Sequence, residues 1–395
     1  MIKERKNMKK VNGQYGAVSL FVVIFAALLI TVVTVSFVRI MIQSQKQAST
    51  VDLSQSAYDS AQAGVEDAKR ALLRYQSYCK SHSVGDCATE KLSVNSDHCN
   101  EYTNKLDGRT ASTDEQNVQT GDTANDLNQA YTCVTITTDT TDYLGYLNKD
   151  ESNIIPISGV GSFDKIKIDW FSSKDLGSSL SSIVLPSGKL LSTSWQDGRP
   201  PILRSQLIQY KNDGFILDDF NGNQGNGNSN TLFLYPTSLL TPDTDSFITV
   251  GRRTYSPLIS PNGIKCLSGF ATSNYSCSVT LKIPPIVSPL SSNNYTHFLR
   301  LTSLYRETSY KISLINGNIV DADGNPTIVQ FNGVQPSIDS TGRANDLFRR
   351  VQSRVEFSTN FSYPEAAVDI SGNLCKDFRI TDDPNEYYKD PNCTP

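Results

Sequence analysis

Eight cysteines are the most reactive side chains of this 395-residue chain, and their spacing limits what they can do. They are Cys79, Cys87, Cys99, Cys133, Cys266, Cys277, Cys375 and Cys393. Zinc sites usually need paired C-x-x-C spacings or interleaved histidines. The shortest gaps here are eight and eleven residues, and the chain has only three histidines, His82, His98 and His297. The even set therefore favours disulfides over zinc.

The connectivity of eight cysteines cannot be read from sequence alone. Nearest-neighbour pairing predicts bonds between Cys266 and Cys277 and between Cys375 and Cys393. The pairing of the other four cysteines is left open. A bond from Cys375 to Cys393 would close a loop of about 19 residues and contribute about 3 kcal/mol by the chain-entropy estimate.

Asp321, Asp323 and Asn325 in VDADGNPTI resemble the opening of a calcium loop. An EF-hand would place its glycine later and a glutamate at the twelfth position, and this segment does neither. Asp-Gly is also a frequent hairpin turn, which explains the same residues without a metal. We favour the turn, and we predict no cofactor or metal.

Four arginines in TGRANDLFRRVQSRVEF form the densest basic cluster outside the N-terminal leader. They are Arg343, Arg349, Arg350 and Arg354. Guanidinium groups pair well with carboxylates, so these arginines could form a partner patch for a neighbouring subunit or for anionic glycans. The favoured alternative is a solvated strand face or a set of ion pairs within the chain.

The chain contains no G-x-S-x-G, H-E-x-x-H or P-loop motif, and no histidine stands in a recognisable catalytic frame with a serine or cysteine. We therefore expect no enzymatic activity. The formal net charge is −4. An acidic composition rich in Ser, Thr, Asn and Tyr argues against nucleic acid as the main partner.

The first element that helps to position these residues is an apolar run at residues 17–38. It has 22 residues without charge or proline. At about 1.5 Å per residue, a helix of that length just spans the hydrocarbon core of a bilayer. Residues 1–16 carry five basic residues and one acid. The positive-inside rule therefore keeps them cytoplasmic and places the C-terminal bulk outside, where disulfides persist.

The basic leader ends in Gly16 and is followed by the small residue Ala17 and the apolar run, which is longer than the core of an ordinary cleaved signal. Further on, AYDSAQAGVEDA contains A-x-A-G-x-E-x-A, with Ala57 ahead of it. The members of this pattern are Ala61, Ala63, Gly64, Glu66 and Ala68. Over roughly residues 1–75 the chain resembles type IV pilins and secretion pseudopilins, most closely minor pilins with a PilX-type N-terminus. Hydropathy alone would equally fit an uncleaved signal anchor.

The resemblance implies that a prepilin peptidase cuts between Gly16 and Ala17. It also implies that an assembly platform adds the mature subunit to other pilin subunits. Most pilins carry a glutamate at the fifth mature residue, where it meets the amine of a neighbouring subunit. This chain has Phe21 there, a departure that certain minor pilins and tip pseudopilins share. The loop from Cys375 to Cys393 is similar to the C-terminal loop of many pilins, which often takes part in adhesion or subunit contacts.

Residues 39–78 should continue the helix, because they lack proline and are rich in helix-forming residues. Val51, Tyr58, Val65 and Leu72 recur every seven residues, and Ser54, Ala61, Ala68 and Tyr75 follow three positions later. This spacing predicts one coiled-coil-like stripe that needs to be covered. After Tyr58, we expect the chain's own globular part to cover it.

Residues 79–130 are predicted to be irregular, with a polar loop at 106–129, and residues 220–230 are predicted to be a mobile loop. Alternation with period two then predicts strands separated by Asp-Gly and Asn-Gly turns. The predicted strands cover 131–136, 166–170, 202–210, 231–235, 247–250, 277–283, 296–302, 310–315, 328–331 and 351–357.

The sequence therefore predicts an α+β protein with a leader at 1–16, a transmembrane segment at 17–38, a helix continuation at 39–78 and a β-rich extracellular head at 79–395. A break near 257–261 would divide the head into two lobes. The predicted function is that of a minor, tip-proximal subunit of a type IV pilus-like filament, with a role in assembly and in adhesion to a host or neighbouring cell. The alternative is a single-pass membrane-anchored surface protein that never polymerises.

Overall fold

We describe the architecture from a computed structural model of the chain. The described residues are 15–95, 98–106, 114–118, 128–177, 182–185, 195, 198–211, 229–238, 248–249, 262–270, 274–283, 295–322 and 324–356. Within them a long N-terminal helix is followed by a β-rich region, in agreement with the predicted α+β class.

The N-terminal helix, α1 (Tyr15–Ser81), is continuous over 67 residues. Its sequence has no proline, and residues with high helix propensity are frequent throughout. The apolar run at 17–38 and the predicted continuation at 39–78 therefore form one element. At its end, the Ser81 hydroxyl donates to the Tyr78 carbonyl at 3.2 Å.

A second helix, α2 (Val84–Val94), corrects the prediction that residues 79–130 are irregular. Ser83 caps this helix, because the backbone N–H of Asp86 donates to its Oγ at 3.2 Å. A disulfide joins Cys79, near the end of α1, to Cys87 in α2. The cap and the disulfide stabilise an 11-residue helix that has little apolar periodicity to reveal it.

The described residues form fifteen strands. They are β1 (Gln116–Asn117), β2 (Gln129–Thr137), β3 (Tyr143–Leu147), β4 (Ser152–Pro156), β5 (Lys165–Ser172), β6 (Ile202–Lys211), β7 (Ser229–Thr237), β8 (Ile248–Thr249), β9 (Asn262–Lys265), β10 (Tyr275–Lys282), β11 (Tyr295–Leu304), β12 (Thr308–Val320), β13 (Pro326–Val329), β14 (Ser337–Ala344) and β15 (Leu347–Arg354).

These strands form three sheets. The four-stranded sheet has the order β1-β2-β14-β15. The six-stranded sheet has the order β13-β12-β5-β10-β8, with β3 also paired to β12. The five-stranded sheet has the order β4-β11-β6-β7-β9. Most pairings are antiparallel, whereas β8 pairs with β10 and β9 pairs with β7 in parallel.

The chain divides into two compact units. The first unit consists of Met1–Glu66, Asp114–Cys133 and Ser340–Val351, so it holds the first three quarters of α1 together with the turn between β14 and β15. The second unit consists of Asp67–Thr113, Val134–Asp339 and Gln352–Pro395. It contains the whole of the six-stranded and five-stranded sheets.

The core of the second unit lies between its two sheets. The six-stranded sheet contributes Ile168, Trp170 and Ile312, and the five-stranded sheet contributes Leu203 and Leu299. All five side chains are fully buried. On β12 the core residues Tyr310, Ile312 and Leu314 alternate with residues on the opposite face, as expected for a sandwich of two sheets.

One disulfide connects the two sheets of the second unit. Cys266 follows β9 and bonds to Cys277 in β10, so this bond links the five-stranded sheet to the six-stranded sheet. It agrees with the nearest-neighbour prediction. Cys99 and Cys133 are also disulfide-bonded, and the described part of the chain has no free cysteine.

Several strands correct the sequence-based boundaries. β3, β4, β9 and β14 were not predicted, and β1 lies inside the predicted polar loop. The Asn316-Gly317 dipeptide, expected as a turn, lies within β12, where the register with β13 shifts. Asp321 does lie in the predicted hairpin, between β12 and β13, and its Oδ1 accepts from the Asn325 N–H at 2.8 Å.

Some sequence-based predictions lie outside the described residues. These are the leader up to residue 14, the predicted break at 257–261, Asp323, and the pair Cys375 and Cys393. Residues 220–228 of the predicted mobile loop also lie outside, whereas residues 229 and 230 begin β7.

The bonding pattern predicts the outcome of non-reducing peptide mapping on the exported protein. We expect to recover Cys79 with Cys87 and Cys266 with Cys277, because the structure has these bonds, and Cys375 with Cys393, as nearest-neighbour pairing predicts. Alkylation without reductant should label no cysteine, and alkylation after reduction should label all eight. Stoichiometric zinc, or several cysteines alkylated before reduction, would contradict the prediction.

Candidate functional site: the apolar half of α1 and its small-residue contact

The first half of α1 is apolar on every side. Seventeen large hydrophobic side chains between Leu20 and Ile42 are each at least 43% exposed. Burying one such side chain is worth about 1.5–3 kcal/mol, so exposing all of them to water would cost on the order of tens of kcal/mol. Among the described residues, α1 is the one helix long and apolar enough to cross a membrane. This surface requires a lipid or protein environment.

Three hydroxyl groups within this apolar half are satisfied by the helix itself. Thr31, Thr34 and Ser36 each donate to a backbone carbonyl three or four positions earlier, at 2.8–2.9 Å. A buried hydroxyl without a partner is costly in an apolar medium. These internal bonds therefore let the helix enter such a medium without bringing unsatisfied polar groups with it.

Phe21 lies within this apolar surface and is 73% exposed. No charged residue occurs between Ala17 and Val38. The structure gives the backbone of Gly16 and Ala17 as part of α1. The first charge after the apolar run is Arg39.

Further along, α1 approaches the β14 backbone very closely. Ala57 and Ala61, one helical turn apart, are fully buried. Ser340 and Gly342 lie on one face of β14, two residues apart. The Ser340 hydroxyl donates to the Ala61 carbonyl at 2.7 Å. A Cβ at Gly342 would overlap the Ala57 carbonyl oxygen and the Ala61 amide nitrogen.

The local sequences produce this contact through their two periodicities. Residues four apart on a helix share one face, and residues two apart on a strand do the same. Small side chains stand at both sets of positions, so the two backbones can come together without a layer of large side chains between them. Ala61 belongs to the A-x-A-G-x-E-x-A pattern, whereas sequence reasoning missed Ser340 and Gly342.

Polar contacts surround the small-residue contact. Arg343 forms a bidentate pair with Glu115, with Nη2 2.7 Å from Oε1 and Nε 3.2 Å from Oε2. Arg349 Nε donates to the Ser54 hydroxyl on α1 at 2.7 Å. Glu115 is 44% exposed, so its ion pair contributes at most about 1 kcal/mol. These bonds orient the β14–β15 turn more than they stabilise it.

The four arginines of the predicted partner patch do not share one surface. Arg349 and Arg350 are adjacent on β15 and therefore point to opposite faces. Arg350 is exposed. In the second unit, Arg354 pairs with Asp142, with Nη2 2.8 Å from Oδ1. The guanidinium groups of Arg343, Arg349 and Arg354 thus bond within the chain, which fits the favoured alternative of internal pairing.

The predicted heptad stripe is only partly covered. Val65 and Leu72 are buried, but Val51 and Tyr58 are 61% and 41% exposed. The buried residues Ala57, Ala61, Val65, Ala68 and Leu72 follow one another at spacings of three or four, which places them on one face of the helix. The stripe after Tyr58 is thus largely buried, as expected, whereas Val51 and Tyr58 stay exposed.

The histidines do not form a metal site. His82 stacks on Tyr78 with ring centroids 3.7 Å apart, His98 is exposed, and His297 is buried in β11. Burial lowers the pKa of His297 to about 4, so its ring is neutral at physiological pH. Within the described ranges, no group of three or more His, Cys, Asp or Glu residues could hold a metal ion.

Comparisons with known proteins found no match. No protein-family model matches this chain. No curated protein and no solved structure matches it either. The residues and contacts described above therefore carry the functional inference.

Gly342 provides a test of the close contact. We expect Gly342→Ala to destabilise the protein by about 1–3 kcal/mol, because the new Cβ would meet rigid backbone rather than a flexible side chain. The measurement is urea unfolding of the full-length protein in detergent. Gly269→Ala is the matched control, since a Cβ at Gly269 meets nothing within 4 Å. Equal stability of the two variants would show that the contact is looser than described.

Proposed function

We propose that this protein is a minor subunit of a type IV pilus-like surface filament, with a PilX-type N-terminus. The observation that carries the proposal is the continuity of α1. One helix combines an exposed apolar half with a second part that packs on β14 through Ala57 and Ala61. The first half can cross a membrane before assembly and contact other subunits afterwards.

The position of the small residues supports this assignment. Of the residues that carry the resemblance to minor pilins, Ala57, Ala61, Gly64 and Ala68 are buried in α1, whereas Ala63 is half-buried and Glu66 is exposed. A membrane anchor needs only an apolar span of about 20 residues. It does not need a rigid helix that continues for another forty residues, with small residues at the positions where its own sheet approaches.

The proposed topology follows from charge and cysteine placement. The basic leader stays in the cytoplasm, the apolar half crosses the membrane, and the β-rich part is exported. The described cysteines are all disulfide-bonded, and no cysteine of the chain lies in the apolar half. Both observations agree with an oxidising location for the β-rich part. After assembly the protein would be found on the cell surface, in the filament.

The expected partners are other pilin subunits, the prepilin peptidase and the pilus assembly platform. A ligand on a host or neighbouring cell is a further partner if the head takes part in adhesion. We propose neither enzymatic activity nor nucleic-acid binding.

The second candidate is a single-pass surface protein that keeps its leader and never polymerises. The same apolar half of α1 supports it, because that half meets the requirements for a membrane anchor. Processing separates the two candidates, since a pilin subunit loses its leader and appears in sheared filaments. An anchor keeps its leader and stays with the membrane.

The leader provides the most direct test. We expect cleavage between Gly16 and Ala17, so that N-terminal sequencing of filament-associated protein begins at Ala17. Gly16→Leu should block cleavage, because the proposed peptidase needs a small residue before the cut. Gly13→Leu is the matched control in the same leader and should be processed normally. An intact leader on wild-type protein in filaments would overturn the processing step.

Phe21 bears on the location of the subunit in the filament. In the proposed assembly, the glutamate of an incoming subunit neutralises the amine of the subunit above it. An unpaired charge in hydrocarbon costs several kcal/mol. A subunit with Phe21 cannot neutralise the amine above it, but it can offer its own amine to the subunit below. It is therefore suited to the start of an assembly, at the tip.

We therefore predict a tip-proximal, low-copy location. Immunogold labelling of wild-type protein should mark filament ends. Phe21→Glu restores the acid and should move part of the label along the shaft, whereas Phe21→Leu should leave the label at the ends. Uniform decoration by the wild-type protein would refute the placement and leave the pilin proposal standing.

A further inference from the structure

The five-stranded sheet of the second unit has an unusual charge composition. None of its five strands, β4, β6, β7, β9 and β11, contains Asp or Glu, although the chain as a whole has 40 acidic residues. The same strands contain Arg204, Lys211, Lys265 and Arg300. The sheet is therefore a locally basic surface in an acidic protein.

Two of these basic residues lie close together on the face that points away from the core. Arg300 on β11 is opposite Gln206 on β6, and Arg204 on β6 is opposite Thr302 on β11. The two arginines are thus diagonal neighbours on one face, with Cβ atoms about 7–8 Å apart. Both side chains are half-buried. Burial, and then the charge of Arg300, lower the pKa of Arg204.

Neither guanidinium group has a carboxylate partner among the described residues. Arg300 Nη2 donates to the Ser152 hydroxyl at 3.3 Å, and its Nε is buried without an acceptor. The two acids that precede Ser152 along the chain bond elsewhere: Asp150 accepts from the Tyr305 N–H, and Glu151 accepts from the Asn148 side chain. Two partly desolvated like charges without a counter-ion are unfavourable, and an anion placed between them would relieve that cost.

Neutral polar groups complete the surface around the two arginines. The hydroxyls of Ser152 and Thr302 are hydrogen-bonded to each other at 2.8 Å, and they lie beside Arg300 and Arg204 respectively. On the outer sides, Ile154 is opposite Arg300 and Phe233 is opposite Arg204. Thr302 itself is buried, so the surface offers two guanidinium forks, the Ser152 hydroxyl and an aromatic side chain.

We propose that Arg204 and Arg300 form a binding site for a carboxylated sugar residue of an acidic glycan. A carboxylate can accept from both guanidinium groups. The sugar hydroxyls can exchange hydrogen bonds with Ser152, and the apolar face of the ring can rest against Phe233. An acidic peptide would satisfy the arginines but would leave these neutral groups unused. The site lies on the face of the sheet, not at an edge, so it does not offer the backbone pairing by which extended peptides usually bind.

The proposal does not depend on the filament assignment, because the site lies within the exported part of the chain in either topology. Its test is calorimetric titration of the full-length protein in detergent with hexagalacturonate. The matched probe is the fully methyl-esterified hexamer, which keeps the sugar rings and removes the negative charge. We expect the ester to bind at least tenfold more weakly than the free acid at constant ionic strength.

Three variants assign the binding to these residues. Arg204→Gln and Arg300→Gln should each lower the affinity for hexagalacturonate at least tenfold, because each removes charged donors. Lys149→Gln removes one positive charge at an exposed position outside the site and should change the affinity less than twofold. Arg300→Lys should bind with intermediate affinity, since an ammonium group keeps the charge but loses the forked geometry. Circular dichroism and the unfolding midpoint establish that each variant is folded.

The outcomes that overturn the proposal are equally specific. Equal affinity for the acid and its methyl ester would exclude recognition of the carboxylate. Equal losses in Arg300→Gln and Lys149→Gln would show a diffuse charge effect and no site. Tighter binding of a hexaglutamate peptide than of hexagalacturonate would exclude the sugar as the favoured ligand.

Discussion

The first unit depends on the close approach of two backbones, that of α1 at Ala57 and Ala61 and that of β14 at Gly342. The hydrogen bond from Ser340 to the Ala61 carbonyl fixes the position of the helix along the strand. Such an arrangement gains little from the burial of large side chains, because few are present. Its stability comes from the many short contacts that small residues permit and from their low cost in side-chain entropy. It is correspondingly intolerant of added atoms.

The surface of the same helix changes twice along its length, so three parts of it suit three different environments. Large apolar residues cover it from Leu20 to Ile42, polar residues follow at 43–50, and buried small residues begin at Ala57. Only the size and polarity of the side chains differ between these three parts, while the helical backbone stays regular. A helix without proline can therefore serve as one rigid connection between an apolar medium and a folded domain.

The sequence predicted the parts of this structure that depend on composition. The apolar run, the helix continuation and several strands rest on periodicity over many residues. β14 was missed because SIDSTGRA has few residues with strand propensity, and its burial depends on a helix about 280 positions away. The Gly342 contact could not be predicted for the same reason. The Arg204–Arg300 pair is also invisible in the sequence, since only the register of β6 with β11 brings the two residues together.

The bond between Cys266 and Cys277 has a mechanical consequence. The chain leaves the five-stranded sheet after β9 and enters the six-stranded sheet at β10, and the disulfide joins the two sheets where it does so. A tensile load that pulls the sheets apart passes through the covalent bond and not through the connecting loop. Substitutions and insertions between the end of β9 and the start of β10 would therefore leave this covalent load path unchanged, so the sandwich would keep its resistance to force.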